Sequence, residues 1–183
     1  LRDKPIYKIL FLGHMYYPPI EECLRVIVDK ILPMLIQLDK RYSITIVGNT
    51  PSSTIQKYKN VKGLVFKGGM DNLSDLLAEY DMGIAPINQG SGTRLKILDY
   101  MASGLQVVTT NLRVEALDSN ISRYLNIEDD MDKYALAIHK IMENLASYKE
   151  ASRNAREFVE LKYDWKNNLE PFLGVYKKLL NNK

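Results

Sequence analysis

Apolar residues along this chain come in short, nearly continuous runs, and between the runs they recur at every third or fourth position. The runs cover 6–12, 43–47, 63–66, 82–85 and 105–109. Runs this short and continuous predict strands buried on both faces, as in a parallel sheet. The first two end in Gly13 and Gly48. Residues 20–38 are apolar at 20, 24, 27, 31 and 35, a helical stripe that Pro33 is expected to kink or divide. Asn49-Thr50-Pro51-Ser52 opens a short helix, and Asp71-Asn72 caps another through Leu73, Leu76, Leu77 and Tyr80. A short sixth strand is expected at 124–127, and helices over 132–145, 148–161 and the segment after Asp164.

Strands that alternate with helices make an α/β fold, here a doubly wound, Rossmann-like parallel sheet of about six strands flanked by helices, with extra C-terminal helices. In the common order 3-2-1-4-5-6, strands one and four are neighbours where the winding reverses, and ligands bind off the strand ends at that crevice. The loops expected there are Gly13-His14-Met15 and residues 88–92.

The second of those loops belongs to Gln89-Gly90-Ser91-Gly92-Thr93-Arg94-Leu95-Lys96-Ile97-Leu98-Asp99-Tyr100-Met101-Ala102-Ser103-Gly104, a glycine-rich turn that opens a helix. Backbone N–H groups exposed at a helix start attract anions, phosphate above all. Thr93 is the expected N-cap, and Gly90 and Gly92 let a ligand approach the backbone. Arg94 and Lys96 stand in the first turn, where the helix dipole disfavours cations by about 0.3–1 kcal/mol. That placement points to a bound anion; the competing reading makes them surface charges, with Lys96 pairing Asp99 at i,i+3. Asp99 is equally suited to accept two ribose hydroxyls. His14, in the first crevice loop, is a candidate donor to phosphate or sugar.

Composition narrows the classes. With 183 residues, 46% hydrophobic and 26% charged, the chain fits one globular domain. A formal charge of +3, spread along the chain, does not describe a nucleic-acid binder. The one cysteine, Cys23, fits packing in a helix and a reducing, cytoplasmic setting. No apolar run approaches the roughly 20 residues needed to span a bilayer. Two histidines far apart and one cysteine support no metal site. The dinucleotide fingerprint is absent after Gly13, and no phosphate-loop NTPase motif occurs. His139 reads as structural, and polar residues 1–5 as a linker.

The stretch Gly90 to Gly104, followed by Val107-Val108-Thr109-Thr110, resembles the donor-binding domain of the group 1 (family 4) glycosyltransferases. Further signatures are Ile46-Val47-Gly48, Val65-Phe66-Lys67-Gly68 with Asp71-Asn72-Leu73, Tyr80-Asp81-Met82-Gly83-Ile84-Ala85-Pro86, and Trp165 before the last helix. The resemblance implies the C-terminal half of a two-domain B-type fold that binds a nucleotide-diphospho-sugar. The second acid of the family's Glu-x7-Glu motif, a ribose ligand, matches Asp99; the first falls on Ser91, which is not acidic. The family's usual Arg after the first strand and Lys on its helix are absent, and Arg94 with Lys96 are the expected substitutes. Lys67, Gly68 and Gly69 resemble the segment that cradles the base. Gln106, Arg113 and Ala116 depart from the family's Pro and Gly residues, whereas Glu115 matches its usual acid.

The activity so implied is retaining transfer of a sugar from its nucleotide diphosphate to an acceptor hydroxyl of a glycan, lipid or polysaccharide. The expected donor-site set is Gly13, His14, Lys67, Gly68, Gly90, Ser91, Gly92, Thr93, Arg94, Lys96 and Asp99, with no metal and no cofactor beyond the nucleotide sugar. No catalytic residue is assigned within this chain. An acceptor domain is expected upstream, with residues 164–183 crossing to it, so the chain alone is expected to be inactive. The full enzyme is compatible with peripheral membrane association. Two alternatives stand beside this: a nucleotide-sugar epimerase of the same fold, and a catalytically silent nucleotide-binding module, the latter motivated by Ser91.

Overall fold

The structure, a computed structural model, describes residues 6–70, 72–86, 95–114 and 117–181, with the backbone alone at 113 and 181. Within these residues six strands form one sheet: β1 (Tyr7–Leu12), β2 (Tyr42–Val47), β3 (Leu64–Lys67), β4 (Met82–Ala85), β5 (Gln106–Thr109) and β6 (Asn126–Ile127). Their order is β3-β2-β1-β4-β5-β6, and every neighbouring pair is parallel. This is the doubly wound sheet that the alternation predicts. Most of the apolar runs became buried strands: Ile9, Leu10 and Phe11 are fully buried, and all four residues of β4 and of β5 are buried, whereas β3, at the sheet edge, is only partly covered and exposes Val65.

The first long helix shows how a proline is absorbed. The segment runs as α1 (Pro18–Val26), a π-helical turn (Ile27–Ile31) and α2 (Leu32–Leu38) without a break. Pro33 has no N–H, and its ring would strike the carbonyl of Asp29 in a regular helix. The turn before it widens instead, so that the Leu32 N–H reaches back to the Ile27 carbonyl. The predicted stripe of Ile20, Leu24, Ile27, Ile31 and Leu35 stays buried throughout. The helix starts two residues earlier than the stripe, at Pro18 and Pro19, since first-turn N–H groups need no partner.

The remaining helices are α3 (Ser52–Tyr58), α4 (Leu73–Leu77), α5 (Leu95–Ala102), α6 (Met131–Glu143), α7 (Lys149–Tyr163) and α8 (Trp165–Asn181). Asn72 caps α4 by accepting from the Asp75 N–H, as its position predicts. Asp130 caps α6, accepting from the N–H groups of Asp132 and Lys133, so the helix begins at Met131. The expected strand at 124–127 is shorter than its apolar pattern: Ser119–Tyr124 winds into a 3-10 helix, and Asn126–Ile127 alone pairs with β5. α2 and the π turn pack on α6 on one face of the sheet, while α5 packs on α7 on the other.

Two buried or part-buried polar side chains tie distant elements together. Tyr134 lies fully buried, donates its hydroxyl to the Val108 carbonyl and accepts from the Ala85 N–H at 3.1 Å, which ties α6 to β4 and β5. His139 is structural as expected, its Nδ1 2.8 Å from the Tyr42 hydroxyl. Cys23 is buried in α1. The last helix differs: Trp165, Leu169, Phe172, Leu173, Tyr176, Leu179 and Leu180 on α8 are all exposed, Trp165 at 77%. Among the described residues no helix is long and apolar enough to cross a membrane.

Candidate functional site

The topology puts a crevice between β1 and β4. Those strands pair only through Ile9 with Met82 and Leu10 with Gly83, and beyond that point they part. α5 fills the fork. Gly83 allows this, because a Cβ there would fall 2.3 Å from Cγ of Tyr100. The Tyr100 ring therefore lies flat on the β4 backbone, fully buried, with its hydroxyl at the fork. That hydroxyl accepts from the Leu12 N–H at 2.7 Å and contacts the Ile84 carbonyl at 3.4 Å. Burial keeps the phenol protonated far above its ordinary range.

The loop after β1 is stitched to the end of β2. Gly13 donates its N–H to the Val47 carbonyl, and Met15 to the Asn49 carbonyl, both at 2.9 Å. Gly48, with φ +130°, approaches so closely that a Cβ would sit 2.0 Å from the Gly13 oxygen. His14 is exposed, and its ring centroid lies 5.3 Å from that of Tyr16. Two grooves open here. One, of about 320 Å³, is walled by Leu12, Gly13, His14, Gly48, Asn49 and Gly69. The other, of about 340 Å³, is walled by Tyr16, Gly48, Asn49, Phe66, Lys67 and Gly68. Gly48 and Asn49 belong to both, so the grooves adjoin along the C-terminal ends of β1, β2 and β3.

The predicted site residues divide into those that converge and those that turn away. Gly13, His14, Lys67 and Gly68 all line the two grooves. The Lys67 ammonium points elsewhere, however, lying 3.3 Å from Glu79, whose carboxylate raises its pKa, and over the Tyr80 ring at 5.8 Å. Lys67 thus lines the groove while its ammonium is engaged at Glu79. Lys96 donates its ammonium to the Leu12 carbonyl and sits over the Phe11 ring at 4.6 Å. The alternative pairing of Lys96 with Asp99 is not formed. Asp99 is half-buried, has no side-chain hydrogen bond or ion pair among the described residues, and burial alone raises its pKa. Gly90, Ser91, Gly92, Thr93 and Arg94 lie outside the described residues, as does Glu115.

Several contributors were not among the expected site residues, Tyr100, Gly83 and Asn49 among them. Tyr100 carried a signal, since it stands at i+4 from Lys96 on the same side of the helix. Gly83 carried one too: an isolated glycine inside a strand marks close approach of another group. Asn49, on the ridge between the grooves, had none beyond its place after β2. A larger cavity of about 430 Å³ lies at the other end of the sheet, near Asp81 and Leu105. Its Arg153 and Arg156 are paired with glutamates of their own helix. Among the described residues, no cluster of three or more His, Cys, Asp or Glu could hold a metal ion.

Comparison with known proteins places this architecture. The chain is 28% identical over 179 residues to an uncharacterized 44.6 kDa protein in the cps region of Klebsiella pneumoniae, a match covering 93% of this chain and 45% of that protein. Among solved structures, Anabaena HepE in complex with UDP has a TM-score of 0.75 at 14% identity, over 94% of this chain and 49% of its own. The C-terminal domain of a group 1 family glycosyl transferase (LpcC) from Francisella tularensis has a TM-score of 0.62 at 15% identity, over 88% of both chains. The chain spans about half the length of the longer proteins and corresponds in extent to that isolated domain. The family model for group 1 glycosyl transferases matches residues 6–144, which hold the whole sheet and both walls of the crevice, and the chain belongs to that family.

Proposed function

We propose that this chain is the donor-binding domain of a retaining glycosyltransferase, which moves a sugar from a nucleotide-diphospho-sugar to an acceptor hydroxyl. The observation that carries the reading is Asp99: a half-buried carboxylate with no described partner, on the helix that closes the crevice. Removing a carboxylate from water without a partner is unfavourable, so such a group is suited to a ligand that brings hydroxyls. Asp99 accepts the two ribose hydroxyls. The backbone at Lys67 and Gly68, with Tyr16 and Phe66, seats the base in the adjoining groove. The glycine-rich segment 90–94, with Arg94, holds the diphosphate and stabilises its charge as the sugar departs. Support from relatives comes from HepE, which has been solved with UDP and with UDP-glucose.

The acceptor is bound by a part of the enzyme outside this chain, and α8, whose apolar side is open here, packs on that part. The chain alone therefore binds nucleotide and transfers nothing. Ser91, in place of an acid, motivates a second reading as a silent nucleotide-binding module. Comparing sugar transfer by the full-length enzyme and its Ser91→Glu variant separates the two.

The direct test is a thermal-shift and calorimetric panel of UDP, GDP and ADP. One of them stabilises the chain, by roughly 2.7 kcal/mol at about 100 times its Kd. Asp99→Ala then weakens that nucleotide by about 10- to 100-fold, as expected for charge-assisted bonds of about 1.5–3 kcal/mol. Binding of none of the three, or equal affinity in the variant, refutes the reading.

A further inference from the structure

The end of β1 shows an unusual fastening. In a parallel strand the N–H and C=O of one residue point to the same side, and successive residues alternate. Gly13 N–H goes to Val47 of β2, so both backbone groups of Leu12 face β4. There β4 has already diverged, and no ladder bond is available to them. Backbone groups left unpaired in that half-buried position would exchange hydrogen bonds to water for none. Two side chains of α5 take them instead. Tyr100 accepts the Leu12 N–H at 2.7 Å, and Lys96 donates to the Leu12 carbonyl.

The geometry of each arm is specific. Lys96 and Tyr100 stand four residues apart and so project from the same side of α5. Tyr100 is fully buried against Gly83, and the Lys96 ammonium lies over the Phe11 ring at 4.6 Å. A helix that follows one ligand loop is thereby clamped to the residue that introduces the other, Gly13 with His14.

We propose that Lys96 is a positioning residue. By holding the Leu12 carbonyl it fixes the segment 13–17 relative to α5, and so sets the spacing of the two walls that a nucleotide diphosphate spans. This rests on the donor-site reading given above, and reassigns Lys96 from phosphate ligand to the scaffold that orders the first loop. Tyr100, the other arm, acts in the same way without a charge.

The test uses Lys96→Met, which keeps a stem over Phe11 and removes the donor. Hydrogen–deuterium exchange of the ligand-free chain is followed at the amides of 13–17, alongside calorimetric binding of UDP and uridine. The expected result is exchange faster by about tenfold or more at 13–17, because the loop opens more often once its anchor is gone. UDP and uridine weaken by the same factor. UDP weakened at least about tenfold more than uridine, with exchange at 13–17 unchanged, overturns the proposal and makes Lys96 a phosphate ligand. Tyr100→Phe releases the other arm and carries no charge, so it must reproduce the same pattern; it decides the matter if Lys96→Met does not fold. A wild-type chain that binds neither probe refutes the donor-site reading, while the exchange measurement still judges the clamp.

Discussion

Tyr100→Phe removes one oxygen from the centre of the fold and leaves the ring seated on Gly83. What is lost is the acceptor for the Leu12 N–H, together with a marginal contact to Ile84 at 3.4 Å. A buried donor stripped of its partner costs about 1–3 kcal/mol, and Leu12 is only half-buried, so water recovers part of this. The expected destabilisation is about 1–2 kcal/mol. Tyr134→Phe is the natural comparison. Its hydroxyl serves two fully buried groups, the Ala85 N–H and the Val108 carbonyl, so its loss is expected to cost about 2–4 kcal/mol.

Urea unfolding followed by far-UV circular dichroism measures both. Trp165 fluorescence is a poor probe, since that residue is already exposed in the folded chain. With a slope of about 2–3 kcal/mol/M, Tyr100→Phe lowers the midpoint by about 0.5 M, and Tyr134→Phe by about 1 M or more. Both phenols stay protonated to high pH, so the two shifts are the same at pH 6 and pH 8. Midpoints within error of wild type for both variants, or a larger loss for Tyr100→Phe than for Tyr134→Phe, would show that these hydroxyls are not the partners of those backbone groups.

Two other substitutions probe different parts of the structure. Gly48→Ala forces a side chain onto φ +130° and into the Gly13 carbonyl at 2.0 Å, so it costs more than about 3 kcal/mol or prevents folding; a variant as stable as wild type, by the same urea assay, refutes the close approach. Asp39 is held by hydrogen bonds from Arg41, which lower its pKa to about 2. A depressed folded pKa stabilises above the unfolded value of about 3.9 and is lost as pH falls toward 2. Asp39→Asn is therefore less stable than wild type at pH 6, with the gap closing between about pH 4 and pH 2; a gap constant across that window counts against the ion pair.

Most elements were legible because local pattern and tertiary environment agreed. The apolar runs were strands, and Asn72 capped its helix where its side chain could reach an N–H at N3. Pro33 was legible as a disturbance but not as a π turn, because the choice between a break and a widened turn depended on keeping Ile27 and Ile31 buried. The strand expected over 124–127 shortened for the opposite reason: its first residues found a better place in the 3-10 helix Ser119–Tyr124. At the crevice, the place of Gly13 and His14 was legible from strand ends alone, and that of Gly68 from the family resemblance. The directions of Lys67 and Lys96 were not, since a long cation chooses among partners that only the assembled fold supplies.

Periodicity of apolar residues was enough to set the strand and helix sequence, the parallel sheet and the place of the crevice, because burial on two faces imposes a pattern that no tertiary contact has to explain. The fork between β1 and β4 was decided only in three dimensions. Which carboxylate is left without a partner among the described residues, and which lysine holds a backbone carbonyl, depends on where two strands part. Asp99, Lys96 and Tyr100 are near neighbours on one helix, yet the partners of Lys96 and Tyr100 at Leu12 come from the far end of the chain. A helical pattern records spacing along its own axis and holds no information about that distant strand, so the division of labour within α5 belongs to the tertiary structure.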